Sequence, residues 1–198
     1  MKSNICKIEN GTKDLAAILK ESERVAEYNG FTHKQALQLR LICEEIDGML
    51  PYINDDFDGD LWIEYENGVC KVNVSVKIPE LNIDKKEKLI DIATNRKNSA
   101  AVGIVGKIRS AIENFFLCDS AVGVFSSSGT LVSVHGYSEY VDYSYFWSLG
   151  EYRSNVKKEE TSEDWDELER SVIASVADDV LVGIKGKQAD IIIVKKIA

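Results

Sequence analysis

Proline is scarce in this chain, with only two residues in 198, and no segment is rich in proline and serine. Sequences of that kind form extended linkers between domains, so no such linker is predicted. Because 44% of the residues are hydrophobic, the chain can bury a sizeable core. We therefore expect one domain over residues 1–198.

Closely spaced cysteines are absent as well. The four cysteines are Cys6, Cys43, Cys70 and Cys118, each beside apolar residues, and no two form a CxxC pair. Zinc-binding and thioredoxin-like motifs need such pairs, and the two histidines, His33 and His135, do not complete a metal cluster with these cysteines. We expect buried, reduced thiols, as in a cytoplasmic protein.

Long apolar runs and an excess of positive charge are also missing. No apolar run reaches the roughly 18 residues of a bilayer-spanning helix, and the N-terminus has no apolar signal core. The chain has 24 basic and 33 acidic side chains, for a net charge of -9. This balance argues against nucleic acid and anionic membranes as partners, because both are negatively charged. A small anionic ligand is still compatible, since it responds to the local field.

The first half of the chain has strong helical signals. Residues 1–12 predict an edge strand or an ordered arm. A helix is expected over residues 13–28, ended by Asn29-Gly30. Thr32 and Gln35 then form a capping box, and a long apolar stripe at helical spacing extends to Pro51. The members of that stripe are Ala36, Leu39, Ile42, Cys43, Ile46, Met49 and Leu50.

A β-hairpin is predicted next. The dipeptide Asn67-Gly68 joins two expected strands, Leu61–Glu66 and Cys70–Ile78, and favours a tight turn between them. In the second strand, apolar residues alternate with polar ones, so we expect one face on the core and the other in water. The polar residues are Lys71, Asn73, Ser75 and Lys77.

The second half mixes helical and strand signals. We expect a long helix up to about Leu117 and two strands within residues 122–135. The run 137–147 holds six aromatic residues. It is compatible with a strand at a partner surface or with a helix lying on the sheet.

The C-terminal part closes the predicted sheet. Residues 150–161 are polar and predict a surface loop, and Thr161 or Ser162 caps a helix that follows. The last strand, 190–197, carries the apolar run Ile191–Val194, which is typical of a central strand. The order of elements predicts an α+β fold: a two-layer sandwich with helices on one face of a mixed or antiparallel sheet.

A basic loop before the long helix is the best candidate for a binding site. Arg96, Lys97 and Asn98 precede the helix, and Lys107 lies within it. A helix N-terminus presents free N–H groups and a partial positive charge, so this combination suits a phosphate. The helix itself is indicated by an apolar stripe of Ile104, Ile108, Ile112 and Phe115.

Two glycines lie in the same segment. Gly103 and Gly106 each cost about 1 kcal/mol relative to alanine in a helix interior. Close approach of a ligand would offset this cost, and so would close approach of a neighbouring backbone. The alternative to a binding site is thus a capped, buried helix whose glycines admit another element.

Glu44 and Glu45 lie at the border of the long apolar stripe, because Cys43 and Ile46 flank them. One interpretation is a carboxylate that faces a pocket, as a base or as an indirect metal ligand. The other is a solvated or salt-bridged side chain.

Three blocks of the chain resemble known proteins. They are Leu41–Met49 with Leu61–Glu64, Ala93–Arg109, and Trp165–Ile184. These blocks are similar to a group of small bacterial proteins, mainly from Firmicutes, that are usually described as ATP-binding. The helix Leu39–Leu50, followed by a hairpin, also resembles the N-box helix of the histidine-kinase-like ATPase superfamily (GHKL, Bergerat fold).

The resemblance implies ATP held between the helical layer and a mobile lid. In that superfamily an Asn of the N-box helix holds magnesium and a Glu serves as general base. If Glu44 matches that Glu, Gly48 occupies the Asn position; if Glu45 matches, Met49 does. The Asp-x-Gly-x-Gly box is absent after Ile78, and Ile108 stands after Lys107 where a P-loop has Ser or Thr. The resemblance therefore implies ATP or ADP as ligand, but the residue for magnesium is missing.

We expect a non-catalytic, nucleotide- or phosphate-binding regulatory protein. The residues expected at the nucleotide are Glu44, Arg96, Lys97, Asn98, Gly103, Gly106 and Lys107. One alternative is an adaptor or anti-sigma-like regulator that binds a protein partner through the 137–147 aromatic run and the acidic segment 163–169. The least favoured alternative is an active ATPase or kinase with Glu44 or Glu45 as base.

Overall fold

A computed structural model describes residues 1–9, 15–53, 57–77, 104–119, 145–159, 171–185 and 188–197. Six strands form one sheet: β1 (Cys6–Glu9), β2 (Asp58–Glu66), β3 (Val69–Lys77), β4 (Tyr145–Ser148), β5 (Asp179–Lys185) and β6 (Gln188–Lys196). Five helices are described: α1 (Leu15–Tyr28), α2 (His33–Ile53), α3 (Ile104–Asp119), α4 (Leu149–Glu159) and α5 (Val172–Val176). The protein is therefore α+β, as predicted.

The strand order in the sheet is β1-β2-β3-β6-β5-β4, and every neighbouring pair is antiparallel. β6 lies between β3 and β5, which confirms the last strand as a central one. β1 is the predicted edge strand. Among the described strands β1 and β4 form the two edges, and each has four residues.

Local signals end α1 and start α2 as predicted. Gly30 has φ +65°, and the Phe31 N–H donates to the Ala26 carbonyl at 2.9 Å, which satisfies the end of α1. The Thr32 N–H then donates to Oε1 of Gln35 at 2.8 Å, and the Gln35 N–H donates back to the Thr32 hydroxyl at 3.4 Å. This is the expected capping box.

The core lies between the helices and one face of the sheet. The stripe of α2 is buried as predicted, apart from the partly exposed Ala36: Leu39, Ile42, Cys43, Ile46, Met49 and Leu50 are each at most 2% exposed. From the sheet, fully or nearly fully buried members include Leu61, Ile63, Val72, Val74, Val180, Val182, Ile191 and Ile193. Burial of such side chains stabilises the fold by about 1.5–3 kcal/mol each.

The hairpin between β2 and β3 forms at the predicted dipeptide. Asn67 has φ +50° and Gly68 has φ +78°, as a type I′ turn requires. Near the far end of β2, Gly59 approaches β3 closely. A Cβ atom on Gly59 would lie 2.2 Å from the Ser75 carbonyl oxygen, so only glycine fits there without movement.

One prediction about the sheet is wrong. Asn73 and Ser75 were expected in water, yet they are only 5% and 9% exposed. Asn73 lies between Trp62 and Ile192 in the strand register, and these larger side chains shield it. Ser75 is hydrogen-bonded to its neighbour Asp190. Lys71 is partly exposed and Lys77 exposed, so the expectation holds only at the ends of the strand.

The predicted surface loop at 150–161 is also wrong, because residues Leu149–Glu159 form α4. The Glu151 N–H donates to the Ser148 hydroxyl at 3.2 Å, and the Gly150 N–H donates to Oδ1 of Asp179 at 3.0 Å. These two acceptors satisfy the start of the helix, and Leu149 is fully buried. Ser148 and Glu151 have the spacing of a capping box, a signal that the sequence analysis missed.

Other predictions meet the structure only in part. β5 was not predicted, although its Val180 and Val182 are fully buried. The end of the aromatic run forms a strand, β4. Of the helix predicted after Thr161 or Ser162, the described part is α5, which begins separately at Val172 with the extended Ser171 as its own cap, so the predicted helix is not continuous up to Val176. The caps at 161–162, the strands within 122–135 and the rest of the aromatic run lie outside the described residues. Within those residues, no helix has both the length and the apolar content to cross a membrane.

Candidate functional site

The fold places two parts of the predicted nucleotide site on neighbouring helices. Glu44 lies on α2, Gly106 and Lys107 lie on α3, and α3 packs against α2. The remaining predicted residues, Arg96, Lys97, Asn98 and Gly103, lie outside the described residues. In the sequence they precede Ile104, where α3 begins.

α3 has the predicted buried stripe at three of its four positions, and the side chain of the fourth, Phe115, lies outside the described part. Ile104, Ile108 and Ile112 are 2%, 0% and 4% exposed, so this side of the helix is held in the core. Gly106 and Lys107 are partly exposed. A residue in this first part of a helix remains close to the free N–H groups of its N-terminus.

The ammonium group of Lys107 lies against an aromatic pair. Its Nζ atom is 5.4 Å from the centre of the Tyr152 ring, within the range of a cation–π interaction. The Tyr152 ring in turn lies 6.1 Å from Trp147, centre to centre. Side chains of α3, α4 and β4 thus lie close together here, and they keep the Lys107 ammonium group near the start of α3.

Glu44 takes part in a surface ion-pair network. Its carboxylate is 3.0 Å from Nε of Arg40, and Nη1 of Arg40 is 2.7 Å from Oε1 of Glu23 on α1. The Glu44 side chain is 38% exposed. This geometry matches the salt-bridged interpretation of Glu44. Such exposed pairs contribute about 0.3–0.5 kcal/mol to stability.

The outer side of α2 does not fit a magnesium ion held through this helix. Gly48, four residues after Glu44, is exposed, and no atom lies within 4 Å of the point where its Cβ would be. Magnesium needs oxygen ligands, and glycine has no side chain that could supply one. Among the described residues, no three or more His, Cys, Asp or Glu side chains form a group that could hold a metal.

A polar cluster on the other face of the sheet was not predicted. The Ser75 hydroxyl donates to Oδ1 of Asp190. Nε2 of Gln188 lies 2.5 Å from the Ser75 oxygen and 3.2 Å from the same Asp190 oxygen. Asp60 of β2 is opposite Ser75 on the side away from Asp190, and its carboxylate lies 2.7 Å from the Lys7 ammonium group. Ser75, Gln188 and Asp190 are hydrogen-bonded to one another, as buried polar groups require, whereas the buried Oδ1 of Asp60 is matched by the ion pair with Lys7 alone. We interpret the cluster as structural.

Three of the cysteines are buried thiols outside any disulfide, as predicted: Cys6, Cys43 and Cys70. Burial raises the pKa of the Cys43 thiol far above its ordinary value and raises the pKa of Cys70 to about 12. Both side chains are therefore neutral thiols at neutral pH. Since the thiolate is the reactive form, these two cysteines are unsuited to act as nucleophiles.

Comparison of the chain with protein-family models, curated proteins and solved structures returns no match. The resemblance to the histidine-kinase-like ATPase superfamily therefore stays a prediction. Function has to be argued from the chemistry of the described residues and from the sequence around them.

Proposed function

We propose that the protein is a cytoplasmic, non-catalytic regulator that binds a nucleotide such as ATP or ADP, or another phosphorylated ligand. The observation that carries the proposal is the packing of α3 against α2. This contact makes neighbours of the helices that carry Glu44 and Lys107, although the Glu44 carboxylate is paired with Arg40 and the Lys107 ammonium group lies over Tyr152.

The phosphate would be bound by positive charge at the start of α3. Lys107 supplies one ammonium group, and Arg96 and Lys97 supply two more cations shortly before the helix in the sequence. Free N–H groups at the helix N-terminus add to the same field. The local charge would thus favour an anion although the whole chain carries -9.

We expect no turnover, because of two features of α2. Glu44 is engaged by Arg40, so it is not poised as a base. Gly48 leaves the Asn position of the resemblance without a ligand for magnesium. Binding without hydrolysis is therefore expected, and it should not depend on magnesium.

Calorimetry with ATP and ADP, with and without magnesium, tests the proposal. Charge reversal by Lys97→Glu or Lys107→Glu should weaken binding at least tenfold, because each replaces attraction by repulsion. Lys20→Glu on α1 is a matched control, since Lys20 is exposed and belongs to no predicted site. Unchanged affinity in both site variants, or no binding at millimolar nucleotide, would contradict the proposal. Phosphate release that is lost in Glu44→Gln and Glu45→Gln would favour an enzyme.

A protein partner is the second candidate. The 137–147 aromatic run ends in β4, which lies at an edge of the described sheet. An edge strand leaves backbone groups that a partner can pair with. This reading predicts a partner that is retained from cell lysate and lost when Tyr137 and Tyr140 of the run are changed to alanine, with nucleotide affinity unchanged.

A further inference from the structure

Two dipeptides of the same kind, Asn29-Gly30 and Asn67-Gly68, lie in turns of the described chain. The first follows α1, and the second joins β2 to β3. In an Asn-Gly pair the backbone nitrogen of the glycine can attack the asparagine side chain with little obstruction, because glycine has no Cβ. Both dipeptides therefore carry the same chemistry, and a difference in reactivity between them has to come from the structure around them.

The reaction needs neither an enzyme nor an oxidant. The glycine nitrogen forms a bond to Cγ of the asparagine, the bond from Cγ to Nδ2 breaks, and the proton of the glycine nitrogen departs with Nδ2 as ammonia. Water then opens the resulting five-membered succinimide ring at one of its two carbonyl groups. Opening at one carbonyl gives aspartate, and opening at the other gives isoaspartate, in which the main chain is longer by one carbon.

The amide of Asn29 is held in place by several hydrogen bonds. Its Nδ2 atom donates to the Val25 carbonyl at 2.7 Å and lies 3.3 Å from the sulfur of Met1. The nitrogen that would attack is also engaged, because the Gly30 N–H donates to the Glu27 carbonyl at 3.2 Å. Ring closure at Asn29 has to break all of these bonds, so the end of α1 protects this site.

The side chain of Asn67 lacks such restraints. It is exposed, and within the part of the chain that the structure describes it makes no hydrogen bond. The main chain is the remaining restraint: Asn67 and Gly68 have φ +50° and +78°, and the Gly68 carbonyl accepts from the Ile197 N–H at 2.8 Å. Ring closure requires the main chain to rotate out of this turn. Exposed turns open locally at a much smaller free energy than the whole fold, so this step is accessible in the folded protein.

We propose that Asn67 is a site of spontaneous deamidation, which converts it through a succinimide to aspartate or isoaspartate. A type I′ turn connects Glu66 to Val69 through two residues of ordinary main-chain length. The additional main-chain carbon of isoaspartate does not fit this turn, so the isoaspartate product should lose the Gly68–Ile197 hydrogen bond and be less stable. The proposal concerns the hairpin alone and does not depend on the proposed nucleotide site.

Peptide mass spectrometry of the full chain, incubated at mildly alkaline pH, tests the proposal. After digestion, the peptide that contains Asn67 should have deamidated at least tenfold faster than the peptide that contains Asn29. The same incubation in concentrated urea is the control: both dipeptides should react there at similar rates, because the protection of Asn29 comes from the fold. Equal rates in the folded chain, or an intact Asn67 where the unfolded chain has reacted, would overturn the proposal.

Thermal unfolding of fresh and incubated samples tests the structural consequence. Asn67→Gly keeps a residue that adopts positive φ and removes the reactive side chain, so its midpoint should not change with incubation. Fresh Asn67→Asp has the charge of the aspartate product on an unchanged main chain, and its midpoint should stay close to that of the original chain. The original chain should lose stability as isoaspartate accumulates. An unchanged midpoint in a sample that is mostly isoaspartate would overturn the claim that the turn excludes the longer main chain.

Discussion

The two faces of the sheet are built from the same strands but on different principles. On one face, Val74 of β3 and Ile191 of β6 are opposite each other and almost fully buried under the helices. At the next position of this antiparallel pair, Ser75 and Asp190 are opposite each other and linked by a hydrogen bond. Apolar packing is not directional, whereas the polar face needs partners in defined positions. On the apolar face, the loss of stability on substitution should therefore follow the side-chain volume that is removed. On the polar face, it should follow the number of hydrogen bonds that are lost.

Ile191→Ala should give the largest effect. Ile191 is fully buried between Val74 and Val182 in the strand register, so truncation leaves a cavity and should lower the free energy of unfolding by about 2–5 kcal/mol. Urea denaturation measures this. Ile192→Ala is the matched control on the other face, where the side chain is partly exposed, and its loss should be clearly smaller. Equal losses would contradict the difference between the faces.

Gly59→Ala should come next. The added Cβ would lie 2.2 Å from the Ser75 carbonyl oxygen, which is backbone and cannot turn away, so the strands must shift. Overpacking of this kind costs about 1–3 kcal/mol, again measurable by urea denaturation. Gly48→Ala is the counterpart, since open space surrounds its Cβ, and it should stabilise α2 by about 0.5–1 kcal/mol. If Gly59→Ala left the free energy of unfolding unchanged, β2 and β3 would be less tightly paired at Gly59 than the structure indicates.

Much of the apolar face could be predicted from local sequence. The stripe of α2 repeats over many turns, the Asn67-Gly68 dipeptide specifies its own turn, and Ile191–Val194 is an apolar run. The polar face could not be predicted in the same way. Alternation shows that Asn73 and Ser75 share a face, but their burial depends on Trp62, Ile192 and Asp190, which come from other strands. α4 likewise depends on Asp179, far along the chain, although its capping box was visible.

The candidate site shows the same limit. The pairing of Glu44 with Arg40 is a contact between residues four apart on one helix, which the sequence could have shown. The link from Arg40 to Glu23 and the contact of Lys107 with Tyr152 join different helices. Contacts between helices depend on how the helices pack on the sheet, so no pattern within one helix predicts them.

Ser75→Ala should have a moderate effect on the polar face. The hydroxyl donates to Asp190 and is contacted by Gln188, so its loss leaves a nearly buried carboxylate with one partner fewer. Because Gln188 still reaches Asp190 at 3.2 Å, the free energy of unfolding should fall by only about 1 kcal/mol. Ser75→Thr keeps the hydroxyl and should lose less than Ser75→Ala in the same denaturation experiment. A larger loss for the threonine variant would show that space, rather than hydrogen bonding, limits this position.

The smallest effect is expected at the exposed end of the same face, where Lys77 on β3 lies 2.5 Å from Asp58 on β2. The hydrogen bond and charge of Lys77 lower the pKa of the Asp58 carboxyl below its ordinary value. A lowered pKa adds stability above the pKa of the unfolded chain, and that stability is lost as the pH falls through the folded value. Lys77→Met should therefore raise the pKa of Asp58, measured by NMR titration, and reduce the difference in stability between neutral and acid pH. Lys71→Met is the matched control, since Lys71 is opposite Glu64 instead, and it should leave Asp58 unchanged. An Asp58 pKa that is the same with and without Lys77 would mean that the pair does not persist in solution, as is common for ion pairs open to water.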